Sequence, residues 1–142
     1  MDDKDKILNL LKKNTLTVIS TINSSGQPNS AVIGFAETDD FEIIFGTYND
    51  SRKYSNLKTN HNTSFAIGWD GPITVQYEGV AEELTEENSQ KYKSIFIKKN
   101  PQSAKYEFNP KQRYFLVKPT WLRYTELNQD PWNIIELDFT KQ

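Results

Sequence analysis

A chain of 142 residues with 13% aromatic residues can bury one core, and its formal net charge of -2 lacks the basic excess of a nucleic-acid protein. With no cysteine, disulfides, thiolate nucleophiles, iron–sulfur clusters and cysteine-ligated zinc are excluded; with His61 as the only histidine, so are multi-histidine metal sites. No run approaches the roughly 18 apolar residues of a membrane helix, and the start Met1-Asp2-Asp3-Lys4-Asp5 is unlike a signal peptide, so the expectation is a cytoplasmic protein with no membrane partner.

Residues 4–13 read as an amphipathic helix. Ile7, Leu10 and Leu11 share a face, aspartates lie at its start, and Lys12-Lys13 lie at its end, as the helix dipole favours. Leu16–Ile22 is rich in β-branched residues and runs into the hairpin loop Asn23-Ser24-Ser25-Gly26. Pro28–Phe35 and Phe41–Thr47, separated by Thr38-Asp39-Asp40, are expected to complete an antiparallel meander with it. A short helix follows over about 52–59, with Asp50 or Ser51 as its cap. Strands over Thr63–Trp69 and Ile73–Leu84 flank the turn Asp70-Gly71-Pro72. Thr85 then caps a longer helix with Glu86 and Glu87 in its first turn; Lys98-Lys99 close it and Asn100-Pro101 stop it. Strands near Arg113–Lys118, Trp121–Leu127 and Ile134–Phe139 complete the chain. Neither repeats nor a linker interrupt residues 1–142, so one domain is expected. The fold class is α+β, mainly β: an antiparallel split β-barrel with short flanking helices, since closure removes exposed sheet edges.

The stretch richest in chemistry is Gly46-Thr47-Tyr48-Asn49-Asp50-Ser51-Arg52-Lys53. It ends a strand, turns, and starts a helix with two cations in the first turn. A helix N-terminus already carries roughly +0.5 charge, and each misplaced cation there costs about 0.3–1 kcal/mol. The arrangement turns favourable when an anion docks, because free backbone N–H groups, the Ser51 hydroxyl, Arg52 and Lys53 then converge on it. Alternatively both side chains point into screened solvent at negligible cost. Other nucleotide devices are missing. None of the six glycines forms GxG, so neither a dinucleotide fingerprint nor a Walker loop is present. A Ser-His-Asp triad would have to recruit His61 from the polar turn Asn60-His61-Asn62.

Phe45-Gly46-Thr47-Tyr48-Asn49-Asp50-Ser51-Arg52-Lys53, then Leu57 and Asn60, resembles the flavin mononucleotide (FMN) phosphate segment of the pyridoxamine 5'-phosphate oxidase-like flavoproteins. The resemblance extends to Leu16–Thr21 with Gly26-Gln27-Pro28, to Ile73–Leu84, and to Lys118–Tyr124, in the family's order; it points to a short, general-stress-protein-like member. It implies a split barrel, a homodimer, and FMN at the subunit interface. Carried over by position, Thr47, Ser51, Arg52 and Lys53 would hold the phosphate, and Ser30, Ala31, Val32 and Ile33 would lie along an edge of the flavin ring. Thr74 falls where the true oxidases carry a glutamine touching the flavin. Trp121 would reach the flavin across the interface or, equally, be an ordinary core aromatic.

The departures bear on activity. Ala31 and Ala36 stand where the true oxidases place an arginine and a lysine, and their C-terminal substrate-binding segment has no match here. Oxidation of pyridoxamine phosphate is therefore not expected. The resemblance implies a flavin-dependent oxidoreductase of unknown substrate, in which flavin supplies the redox chemistry and no catalytic triad is needed. Tyr48, Tyr54 and Tyr77 are available proton donors only by being present. Alternatives are a noncatalytic flavin store, a plain interaction module, or a split barrel using a deazaflavin, for which Lys58 offers the only extra cation, or haem, for which His61 is the only obvious ligand.

Overall fold

The computed structural model describes residues 1–141. Among them, helix α1 (Asp3–Lys13) precedes strands β1 (Leu16–Ile22), β2 (Pro28–Gly34), β3 (Ala36–Glu37) and β4 (Ile43–Tyr48). Helix α2 (Arg52–Thr59), strands β5 (Asn62–Ile67) and β6 (Ile73–Glu83), and helix α3 (Glu86–Lys99) follow. A 3-10 helix (Pro101–Tyr106) then leads to strands β7 (Gln112–Glu126) and β8 (Asn133–Asp138). The strands form one antiparallel sheet in the order β2-β1-β5-β6-β7-β4-β3, with β8 also on β7. This is a split barrel that is mainly antiparallel β with a few helices. No helix among the described residues is long and apolar enough to cross a membrane.

The long β6–β7 ribbon is the spine, and two expectations change there. Arg113–Lys118 and Trp121–Leu127 are halves of one strand, because Pro119 lies opposite Gly79 where the register shifts, and a bulge is one of the few sheet positions that tolerate proline. Gly79 is required there: a Cβ would stand 2.6 Å from the Lys118 carbonyl oxygen. The two halves of β7 also take different outer neighbours, β4 near one end and β8 near the other.

The expected meander is the second correction. β1 and β2 form the expected hairpin, but β4 does not join it: it makes a second, short hairpin with β3 and pairs with the distant β7. Ile43, Ile44 and Phe45 are all buried, so β4 presents apolar side chains on both faces: Phe45 packs in the main core and Ile44 in the cluster that holds α3. Strand β5 ends earlier than expected because Gly68 adopts φ +83 and turns the chain.

The main core includes Phe45 stacked on Phe115 at 5.3 Å, with Tyr54 edge-on to Phe115 at 5.8 Å and Leu57 buried beside them. Tyr54 and Leu57 are how α2 docks on the inner face of the sheet. A second cluster of Ala36, Ile44, Phe96, Tyr114 and Leu116 holds α3.

Candidate functional site

Strand β4 ends at Tyr48, and the Ser51 amide donates to its carbonyl at 3.1 Å, closing the turn into α2. Ser51, in extended backbone, is the cap: its Oγ accepts from the Tyr54 amide at 3.2 Å. The same Oγ lies 2.8 Å from Oγ1 of the buried Thr47. Asp50, the alternative cap, is turned away toward Lys111 at 2.9 Å, which holds its carboxyl below the ordinary value. Arg52 and Lys53 thus occupy a first turn that contains no acid. Arg52 is exposed, Lys53 half-buried, and among the described residues neither makes an ion pair. Burial alone pulls the Lys53 ammonium below its ordinary value, with no carboxylate to offset it.

These cations line a groove of about 200 Å³ with Ile19, Thr21, Asn29, Ser30 and Ala31. Its far wall is β2, whose other edge has no strand partner. Two residues that sequence reasoning missed hold the walls together. Asn56, buried on α2, donates to Thr21 Oγ1 and to Asn29 Oδ1, both at 3.0 Å, tying the helix to the β1–β2 hairpin. In the sequence it reads as one more polar helix position, and only the docked hairpin gives it a role. Glu83 accepts from the Tyr54 hydroxyl at 2.8 Å and faces Lys58 at 3.4 Å and Arg113 at 3.6 Å. Its signal was legible, since Glu83 continues the inward parity of Val75, Tyr77, Gly79 and Ala81.

The strand alternation divides the remaining predicted residues. One register row across the sheet is Ala31, Ile19, Phe65, Tyr77 and Leu122, which faces the core. The adjacent rows, Val32-Val18-Ala66-Gln76-Arg123 and Ser30-Ser20-Ser64-Glu78-Trp121, face the other way. Ala31 and Ile33 therefore lie on the side of Lys53. Val32, 60% exposed, lies on the opposite face with Thr74 and Trp121, and Ser30 meets the groove only where it rounds the strand edge. Trp121 is not a core residue; it is half-buried, with the Arg123 guanidinium 5.6 Å from its ring. Within one chain, the structure brings Ala31, Arg52 and Lys53 together with the groove and leaves Thr74 and Trp121 outside it.

Two of the three candidate proton donors, Tyr54 and Tyr77, are engaged elsewhere. Tyr77 is buried and donates to the Phe41 carbonyl at 2.7 Å, burial pushing its phenol well up; Tyr54 serves Glu83. Lys58 is paired with Glu83, and His61 is exposed in the turn between α2 and β5.

The family model described as pyridoxamine 5'-phosphate oxidase matches residues 3–126. The chain belongs to this family. It is 31% identical over 84 residues to a pyridoxine/pyridoxamine 5'-phosphate oxidase from Burkholderia thailandensis, a match covering 58% of this chain and 39% of that one. The match thus spans about two-fifths of that oxidase. In fold the chain resembles a haem-binding protein from Mycobacterium smegmatis, with TM-score 0.82, 12% identity, and 97% and 59% of the two chains covered. It also resembles a pyridoxamine 5'-phosphate oxidase-related, FMN-binding protein from Nostoc punctiforme, with TM-score 0.73, 15% identity, and 94% and 88% covered. The fold is thus found on proteins named for flavin and for haem, and the choice between them falls to this chain's own residues.

Proposed function

We propose that this protein binds FMN with its phosphate on the first turn of α2, and that it works as a flavin-dependent oxidoreductase. One observation carries the reading: two neighbouring cations, one of them half-buried, stand without an ion-pair partner among the described residues, at a helix start whose free backbone groups are donors. The donor set fits a phosphate. Arg52 and Lys53 would supply charge, while the α2 backbone N–H groups and the Thr47 and Ser51 hydroxyls would supply shorter-range hydrogen bonds. Ala31 and Ile33 would border the flavin along β2, and the free edge of that strand would offer its backbone polar groups. FMN, once bound, supplies the redox chemistry. The chain's own part is to hold it, orient it and exclude water.

The reading includes a homodimer. Val32, Thr74 and Trp121 face away from their own chain's groove, so any contact of Thr74 or Trp121 with a flavin would be to the flavin of a second subunit. A cytoplasmic location belongs to the same reading. The haem-binding relative favours a second possibility, but His61 lies outside the groove and no other histidine exists. The deazaflavin alternative loses its extra cation, because Lys58 is occupied by Glu83.

Purification followed by absorbance, mass spectrometry and light scattering tests this. A flavin spectrum, an FMN mass and a dimer are expected. A haem spectrum, or a strict monomer that binds FMN tightly, would refute it. Reduction of the bound flavin by NADH or NADPH would support an enzyme over a flavin store.

A further inference from the structure

A cleft of about 630 Å³ lies between the end of β6, the start of β7 and the first half of α3, and it shares no lining residue with the flavin groove. Its charged lining is balanced, Glu83 and Glu86 against Lys93 and Arg113. Just outside, Lys58 faces Glu83, and burial, helped by Glu107, pushes the Tyr114 phenol up, which adds one nearby charge of each sign.

Two of the four lining charges are engaged within the fold. Glu83 accepts from the Tyr54 hydroxyl and faces Arg113 at 3.6 Å, and Arg113 donates to the Pro110 and Gln112 carbonyls, both at 2.9 Å. Glu86 and Lys93, in contrast, make no ion pair among the described residues. Lys93 is half-buried, its ammonium 5.2 Å from the centre of the Tyr114 ring. Glu86, Ser89 and Lys93 recur three and then four residues apart, so they share one face of α3. The two charges are set about 10 Å apart along the helix axis, at 1.5 Å per residue, and do not pair with each other. An acid at a helix start and a cation over a ring are each tolerable alone. What points to a ligand is the group between them. Ser89 is only 7% exposed, yet its hydroxyl makes no hydrogen bond to the described residues. No sealed side-chain polar atom among them lacks a partner, so this hydroxyl opens on the cleft that Ser89 lines.

We propose that this cleft binds a small zwitterion whose ammonium and carboxylate stand several bonds apart, of the ω-amino acid or dipeptide class, with the ammonium on Glu86, the carboxylate on Lys93 and the Ser89 hydroxyl between them. A lone anion would meet Glu83 and Glu86, and a lone cation Lys93 and Arg113, whereas a molecule carrying both charges compensates the two free groups at once. The inference stands apart from the FMN reading.

The test is calorimetric titration of the purified protein with 6-aminohexanoate. Hexanoate, hexylamine and glycine serve as controls that lack the ammonium, the carboxylate and the separation. Saturable binding of 6-aminohexanoate below about 10 mM is expected, with each control at least about tenfold weaker. Glu86→Gln and Lys93→Met, both on the outer face of α3, should each weaken it about fivefold or more while FMN affinity stays within about twofold. No saturable binding, a control that binds as well, or full binding by either variant would overturn the inference and leave the FMN reading intact. A protein that takes up no FMN but shows the expected titration would overturn only the FMN reading.

Discussion

Lys53 and Lys99 are both partly buried, and their surroundings differ in kind. Lys99, near the end of α3, is an ion pair with Glu37, donates to the Leu11 carbonyl at 2.9 Å, and lies 4.0 Å from the centre of the Phe35 ring. Burial still holds its ammonium below the ordinary value, with Glu37 pulling the other way. Lys53 suffers the same desolvation and has no such partner. Burying a cation is costly unless something negative accompanies it. At Lys99 the compensation lies within the fold and joins α1, β3 and α3, so its role is architectural. At Lys53 it is missing among the described residues, and the groove is where an external anion would supply it.

The contrast can be broken first at Lys99. Glu37→Gln leaves a buried ammonium without its carboxylate, and a loss of about 3 kcal/mol in unfolding free energy is expected, with FMN affinity unchanged, by denaturant melts and flavin titration. Arg52→Ala combined with Lys53→Ala should do the reverse. FMN binding should weaken by about 2–4 kcal/mol, from two charge-assisted contacts that add incompletely, while the apo-protein loses no stability.

Between these extremes stands Asn56. Asn56→Ala would leave Thr21 and Asn29 without a buried partner and loosen α2 from the hairpin, so about 1–2 kcal/mol of stability and some FMN affinity should fall together. A variant that lost only one of the two would separate fold from site. Thr85→Ala, at the capping box of α3, should cost about 1 kcal/mol of stability without touching FMN.

The smallest effect is in pH. Lys53 has a lower value in the folded chain than unfolded, so between that value and the ordinary 10.5 the unfolded state binds more protons, and apo-protein stability should rise with pH. Lys99 adds to the same trend. FMN affinity should move oppositely, falling as Lys53 loses its proton, and Lys53→Met should flatten the affinity profile. Thermal melts and FMN titrations on a common pH series would read both signs.

Much of this architecture is legible in the amino-acid sequence. The strand β1 and the helix α2 follow from local composition, which leaves Asp50 or Ser51 as the cap until the structure selects Ser51, and the first turn of α2 stands out because α1 and α3 start with acids while α2 starts with Arg52 and Lys53. What escapes a reading of the sequence is non-local. That β4 leaves its neighbour β2 for β7, or that Pro119 sits inside a strand, depends on burial and a bulge set by residues tens of positions away. Alternation along the expected strand already separates Ser30 and Val32 from Ala31 and Ile33, but spacing cannot place Asn56 under the hairpin or reveal that Lys99 is partnered and Lys53 is not. Glu83 is the exception, a charge at an inward position that parity alone marks as needing partners.

The most direct measurement is a comparison of FMN with riboflavin, the same flavin without the phosphate, on the unaltered protein and on the Arg52→Ala/Lys53→Ala variant. If the start of α2 is a phosphate site, the unaltered protein should prefer FMN by a factor of about 30 or more, and the variant should bind the two nearly alike. Equal affinity for FMN and riboflavin in the unaltered protein would contradict the assignment.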